Sequence, residues 1–209
     1  MHARLRRRGA LDGADNVFVG RAGLGVGFGS AGPGKSPQLA AMTSHVPHGT
    51  THCVRGAYEY YHYMQDRFDD NGWGCAYRSL QSIISWFRLQ QYTTFRNPTH
   101  LEIQQRLVEH CGQSRDELLG KKMWIGSLEL GLFLEHALGV ECRTASYPSA
   151  DAIAADGRRL AHHFETQGTP VMIGGGELAF TLLGVHFDPT RGELRYLIMD
   201  PHYTGADDL

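Results

Sequence analysis

The chain has 209 residues, 42% of them hydrophobic and 20% charged, enough to bury a core in one domain of ordinary size. A formal net charge of -2 supplies no basic surface for nucleic acid or an anionic membrane, and no apolar run approaches the ~20 residues of a spanning helix. Cys53, Cys75, Cys111 and Cys142 lie too far apart for a secreted disulfide framework and fit a reducing compartment.

Residues 1–50 are rich in glycine and small residues without a sustained apolar period, so they are expected to form a flexible tail ahead of a patterned domain at 51–209. The basic start MHARLRRRGALDGADN lacks the apolar stretch of a secretory signal. Gly29–Ser36 (GSAGPGKS) fits the phosphate-loop pattern and Gly27–Gly32 (GFGSAG) fits G-x-G-x-x-G. Both patterns need a strand leading in and a helix leading out, because helix and loop amides hold the phosphate. NVFVGRAGLGV is a poor strand and QLAAM after Pro37 a poor helix, so neither is taken as a nucleotide site. His45, His48, His52 and Cys53 could face one ion, but a second ligand pair is missing, and no metal is expected.

From residue 51 onward the periods are clear. THCVRGAYEYYHYMQD alternates aromatic and polar residues and predicts an extended strand. After Cys75, the residues Ala76, Leu80, Ile83, Ile84 and Phe87 form one helical stripe. Thr99 and Glu102 form a capping box before IQQRLV. Ser127 can cap a helix running to about Leu138 and closed by Gly139, and another helix is expected from about Asp151 to Gln167, stopped by Gly168. PVMI, LAFTLLGVHF and LRYLIMD then read as buried strands, the last two joined by the turn DPTRGE. Helices followed by a mostly antiparallel sheet predict an α+β architecture.

DDNGWGCAYRSLQ, residues 69–81, places Cys75 at a helix start, where unpaired amides and the helix dipole favour a thiolate. Gly72 and Gly74 allow a close approach that a Cβ would obstruct, and Trp73 is the candidate wall of a cleft. A buried structural cysteine is the alternative. LIMDPHY supplies a base: on an extended segment Asp200 and His202 project to the same face, with Pro201 stiffening the link between them. Asp200 could accept from one ring nitrogen while the other faces Cys75. The competing view of these residues is a strand end with a polar turn.

YYHYMQDRFDDNGWGCAYRSLQ, WIGSLEL, GTPVMIGGGELA and DPHYTGADDL together resemble the cysteine proteases specific for ubiquitin-fold modifier, and the resemblance runs from about Gly56 to Leu209. It implies a papain-like protease fold, helices packed on a mostly antiparallel sheet, with Cys75 as nucleophile, His202 as general base and Asp200 as its orienting acid. It also implies that the hydroxyl of Tyr63 serves the oxyanion hole, and the cleft walled by Trp73 would suit an extended substrate tail. The implied activity is maturation of the modifier precursor and release of the modifier from conjugated lysines, without a cofactor. The implied partners are the modifier and its conjugates, with an endoplasmic-reticulum adaptor as a further candidate, in the cytoplasm or at the cytosolic face of that membrane. Long relatives carry a domain ahead of the protease, where this chain has the Gly-rich tail. Many relatives read LAH where this sequence has LAF with Phe180, and they continue past DPHY into a Trp-rich GWCGWK segment not found in these 209 residues. The alternatives are an autophagy-type cysteine protease, which shares the G-W-G-C and D-P-H layout, and an inactive module that only binds the modifier.

Overall fold

The computed structural model describes residues 8–13 and 48–205. The phosphate-loop and G-x-G-x-x-G matches and His45 lie outside the described residues.

Cys75–Leu89 forms α1, and the whole predicted stripe is buried. The other faces are buried as well, including Arg78, Ser79, Gln81, Ser82 and Ser85, so the helix is surrounded rather than laid on a surface. Its serines receive the chain that leads up to it: Oγ of Ser85 accepts the N–H of Glu59 at 2.8 Å and Oγ of Ser82 accepts that of Tyr61 at 3.1 Å. This is why only part of the strand expected from residue 51 joins a ladder. Thr50–Cys53 forms β2, whereas residues 57–63 run extended along α1 and bond to hydroxyls rather than to a neighbouring strand.

His100–His110 forms α2 behind the predicted Thr99–Glu102 capping box, and a short α3, Arg115–Leu118, follows. Ser127–Leu138 forms α4, with the Glu129 carboxylate accepting the Gly126 N–H at 2.9 Å and Gly139 leaving the helix in the left-handed region. The Ser127 expected at the cap is therefore the first helical residue, one position inside it. The helix predicted from 151 to 167 breaks at Asp156 into α5, Ala150–Ala155, and α6, Gly157–Thr166. Cys142–Tyr147, for which the sequence raised no expectation, is strand β3.

The predicted strands appear as β4 (Val171–Gly175), β5 (Leu178–Asp188) and β6 (Glu193–Met199). β5 is the axis of the sheet. One edge pairs antiparallel with β4 through 178–182 and then with β2 through 184–187, and the other edge pairs with β6. Arg8–Gly13, placed by composition in the tail, forms β1 and joins parallel to both β3 and β4, giving the order β2-β5-β4-β1-β3 with β6 beside β5. A register shift between Leu182 and Gly184 turns the side chains over part-way along β5.

Helices cover both faces. Met172, Ala179, Leu183, Leu197 and Met199 pack into the core around α1, α2 and α4. Val171, Ile173, Phe180, Leu182 and Val185 pack against Leu160, Ala161 and Phe164 of α6. A sheet with two dry faces needs near-continuous apolar strands, as these sequences provide. Among the described residues no helix is long and apolar enough to cross a membrane.

Candidate active site

Four segments meet at one end of the sheet: the start of α1, the β4–β5 hairpin, the chain after β6, and the turn after Tyr63. Cys75 is the first residue of α1 and is buried, so its sulfur lies at the positive end of the helix. The sulfur is 3.7 Å from the carbonyl oxygen of Glu177 in the hairpin. The glycines on either side of Trp73 serve different purposes. A Cβ on Gly74 would lie 2.5 Å from the side chain of Asp70, so this position requires the close approach. Gly72 has open space around it but a φ of +80°, so here the backbone conformation decides.

His202 and Asp200 do come together, though not by strand alternation. The carboxylate of Asp200 closes a turn: Oδ1 accepts the backbone N–H of His202 at 2.9 Å and bonds to its Nδ1 at 2.5 Å. With Nδ1 occupied, Nε2 is buried and has no hydrogen-bond partner among the described residues, and the nearby Cys75 side chain acts on the ring. The imidazole is wedged between the rings of Tyr63, edge-on at 5.2 Å, and Phe180 at 5.1 Å. Pro201 is fixed from outside, its carbonyl accepting the N–H of Tyr63 at 2.9 Å, and the Tyr60 hydroxyl donates to the Asp200 carbonyl at 2.5 Å.

The electrostatics single out one thiol. Burial pushes up the thiols of Cys53 and Cys111. Burial would do the same to Cys75, but the hydrogen bonds of His202 and Tyr63, the imidazolium charge and the Ala179 amide outweigh it, and the thiol is lowered. Burial would lower His202, yet its bonds to Asp200 and Cys75 raise it to about 9. His202 is therefore protonated in neutral solution, and the lowered thiol beside it is biased toward the thiolate. Asp200, which burial alone would raise, is lowered by its bonds to His202. Burial and the neighbouring Cys75 charge raise Tyr63, which keeps its phenol protonated and able to donate, with the Cys75 backbone amide beside it. A phenol and a helix-start amide beside one sulfur are the donors an acyl-transfer oxyanion requires.

Trp73, expected as the wall of a cleft, is 7% exposed and sits within an aromatic cluster with Phe68, Tyr77 and His100. The indole that faces solvent belongs to Trp124, 48% exposed, whose Nε1 donates to the carbonyl of Gly72 at 3.1 Å. Among the described residues no group of three or more His, Cys, Asp or Glu could hold a metal ion. His48 is engaged through its carbonyl, which bonds to the His186 ring at 2.7 Å.

The model of peptidase family C78 matches residues 49–209. The chain belongs to peptidase family C78. It is 55% identical over 167 residues to a "Probable Ufm1-specific protease" of Oryza sativa subsp. japonica, covering 80% of this chain and 26% of that protein. It is 49% identical over 175 residues to "Ufm1-specific protease 2" of Homo sapiens, covering 84% of this chain and 37% of the relative. A crystal structure of "UfSP from C.elegans" superposes with a TM-score of 0.70 at 48% identity, covering 81% of this chain and 30% of that one. The chain therefore spans less than half the length of each of these relatives.

In this C78 chain, sequence reasoning missed Trp124, the Ala179 amide and the contact of Phe180 with His202. Only WIGSLEL and GGGELA marked those stretches, and nothing in either shows that a loop and a hairpin tip meet the start of α1.

Proposed function

We propose that this chain is a thiol peptidase that cuts after the C-terminal glycine of a ubiquitin-fold modifier, both in the precursor and at the bond to a conjugated lysine. The observation that carries the reading is the lowered Cys75 thiol sharing one pocket with the Asp200–His202 pair and the protonated Tyr63. The names of the relatives, Ufm1-specific proteases at 49–55% identity, supply the substrate.

In this mechanism the Cys75 thiolate attacks the scissile carbonyl carbon, and the oxyanion is held by the Tyr63 hydroxyl and the Cys75 amide, each donor worth ~3 kcal/mol. His202, already protonated, gives its proton to the leaving amine as the C–N bond breaks. The neutral imidazole then takes a proton from water, whose oxygen displaces sulfur from the thioester. Asp200 keeps the ring in the working tautomer. Trp73 anchors the Gly72–Gly74 turn in the aromatic cluster of Phe68, Tyr77 and His100, and the exposed face of Trp124 offers the wall for an extended tail. A glycine beside the scissile bond suits so crowded an approach.

Location in the cytoplasm, or at the cytosolic face of the endoplasmic reticulum through an adaptor, is proposed on the resemblance alone; fractionation of tagged protein tests it, and recovery within another organelle would refute it. An electrophilic probe built on the modifier tail tests the activity. Labelling that disappears in Cys75→Ser supports the enzyme; tight binding without labelling would make the chain a binding module. Faster labelling by a probe built on the autophagy modifier would reassign the substrate.

A further inference from the structure

Tyr63 leads into an uncommon turn. Met64, Asp66 and Arg67 have φ values of 62°, 59° and 59°, in the left-handed region that residues with side chains rarely occupy. Such conformations persist where surrounding contacts over-determine them, and they collect at functional sites. The contacts here come from Asp70, which is fully buried. Its Oδ1 accepts the N–H of Met64 at 2.8 Å, while Oδ2 accepts from Nε of Arg78 at 2.6 Å and lies 3.0 Å from Nε2 of His100. Arg78, one turn into α1, donates from Nη2 to the Gln65 carbonyl in the same turn at 3.2 Å. From Nη1 it donates to Oε1 of Gln81, also at 3.2 Å. Burial would raise Asp70, but the bonds from His100 and Arg78 lower it to about 2, so it stays ionised in neutral solution.

The main chain of Asp70 serves the other side. Its carbonyl accepts the N–H of Trp73 at 3.2 Å and of Gly74 at 2.9 Å, in the turn that delivers Cys75. The missing Cβ of Gly74 is what lets that turn close over the Asp70 side chain. One residue thus holds both arms of the anion hole: its carboxylate bonds to the residue after Tyr63, and its carbonyl to the residue before Cys75.

We propose that Asp70, gripped by Arg78, is a positioning residue that fixes the spacing between the Tyr63 hydroxyl and the Cys75 amide by clamping the left-handed turn at Met64–Arg67 to the start of α1. This rests on the reading of Tyr63 as an oxyanion donor. A role in stability alone explains less, because apolar residues of similar volume can often replace a buried ion pair without loss of stability. Apolar side chains could not accept the Met64 N–H or donate to the Gln65 carbonyl.

The test compares Asp70→Asn, Tyr63→Phe and the double variant in hydrolysis of a fluorogenic modifier-tail peptide, alongside the pH profile of Cys75 alkylation by iodoacetamide. Asp70→Asn is expected to lower kcat by about tenfold or more with KM within about twofold, and to leave the alkylation profile at its wild-type position. In the Tyr63→Phe background the same change should cost no more than about twofold, because the donor it positions is already gone. Arg78→Lys, which keeps the cation but loses the fork that reaches Gln65, should repeat the pattern with a smaller loss, and it decides the matter should Asp70→Asn fail to fold. Losses that multiply in the double variant, or alkylation that falls in step with kcat, would overturn the proposal. Wild-type turnover by Tyr63→Phe would instead remove the oxyanion role of Tyr63, and the proposal with it.

Discussion

Cys75 opens a helix that is buried continuously from its first residue through Phe87, whereas His202 follows the last strand on a turn whose Asp200 side chain is 60% exposed. The sulfur is placed by the core itself. The imidazole is placed by a short set of specific contacts: the carboxylate of Asp200, the rings of Tyr63 and Phe180, and the anchoring of Pro201 and the Asp200 carbonyl by Tyr63 and Tyr60. A proposed nucleophile built into the core and a proposed base held at the rim should respond differently to mutation. Damage on the α1 side should appear first as lost stability, and damage on the DPHY side as lost turnover in a protein that still folds.

The largest effect should come from His202→Ala. Removing the group proposed to pair with the thiol and protonate the leaving amine should lower kcat by about a thousandfold or more, with KM for a modifier-tail peptide nearly unchanged. The melting temperature should stay within a few degrees of wild type by calorimetry. A large drop in melting temperature would show that the DPHY segment is part of the core and would break the contrast.

Leu80→Ala probes the other side. Leu80 is fully buried one turn from the thiol, and its truncation should cost 2–5 kcal/mol of stability in urea unfolding, in the range of ~2–5 seen for buried leucines. Well below the melting temperature, the folded fraction should keep a kcat within about threefold of wild type, since the sulfur remains at the helix start.

The same contrast governs what the sequence made legible. The stripe of α1, the Thr99–Glu102 box and the apolar strands follow from local periodicity, and they are where the structure puts them. The pairing of Asp200 with His202 was also legible, but its cause was not: an aspartate closing a turn and an alternating strand give the same i, i+2 spacing. Segment 57–63 reads as a strand, yet what meets it is a row of serines on α1, which no local pattern announces. Three non-glycine residues near Tyr63 take left-handed φ in a turn whose Met64 N–H bonds to Asp70 and whose Gln65 carbonyl bonds to Arg78, long-range partners that no local pattern announces. Trp73 and Trp124 differ in sequence only by context, and tertiary packing alone buries the first and exposes the second.

Asp200→Asn sharpens the contrast through pH. Asp200 is the strongest influence raising His202, so its loss should lower kcat by about ten- to a hundredfold and move the alkaline limb of the activity profile from near 9 toward neutral pH. The sign for stability follows from the same shift. A histidine raised in the folded state contributes stability that is complete below its ordinary value of ~6.5 and is lost as pH rises through about 9. Wild type should therefore lose some thermal stability across that interval, and Asp200→Asn should lose less. Identical alkaline limbs in the two proteins would show that the carboxylate does not tune the ring.

The smallest effect belongs to a site that neither arm uses. Oγ of Ser149 accepts the N–H of Ala152 and caps α5, which buries Ile153 in the core on the far face of the sheet from α1. Ser149→Ala leaves that amide without its acceptor, so stability should fall by about 1 kcal/mol, as for other caps. The core that holds Ile153 also holds Phe180, whose ring packs on His202, so α5 meets the site only at one remove and kcat and KM should stay within about twofold of wild type. If turnover fell with stability here, even small strains in the second core would be passing to the site. The thiol and imidazole would then share one cooperative support rather than two, and a kcat measurement on this variant decides between those cases.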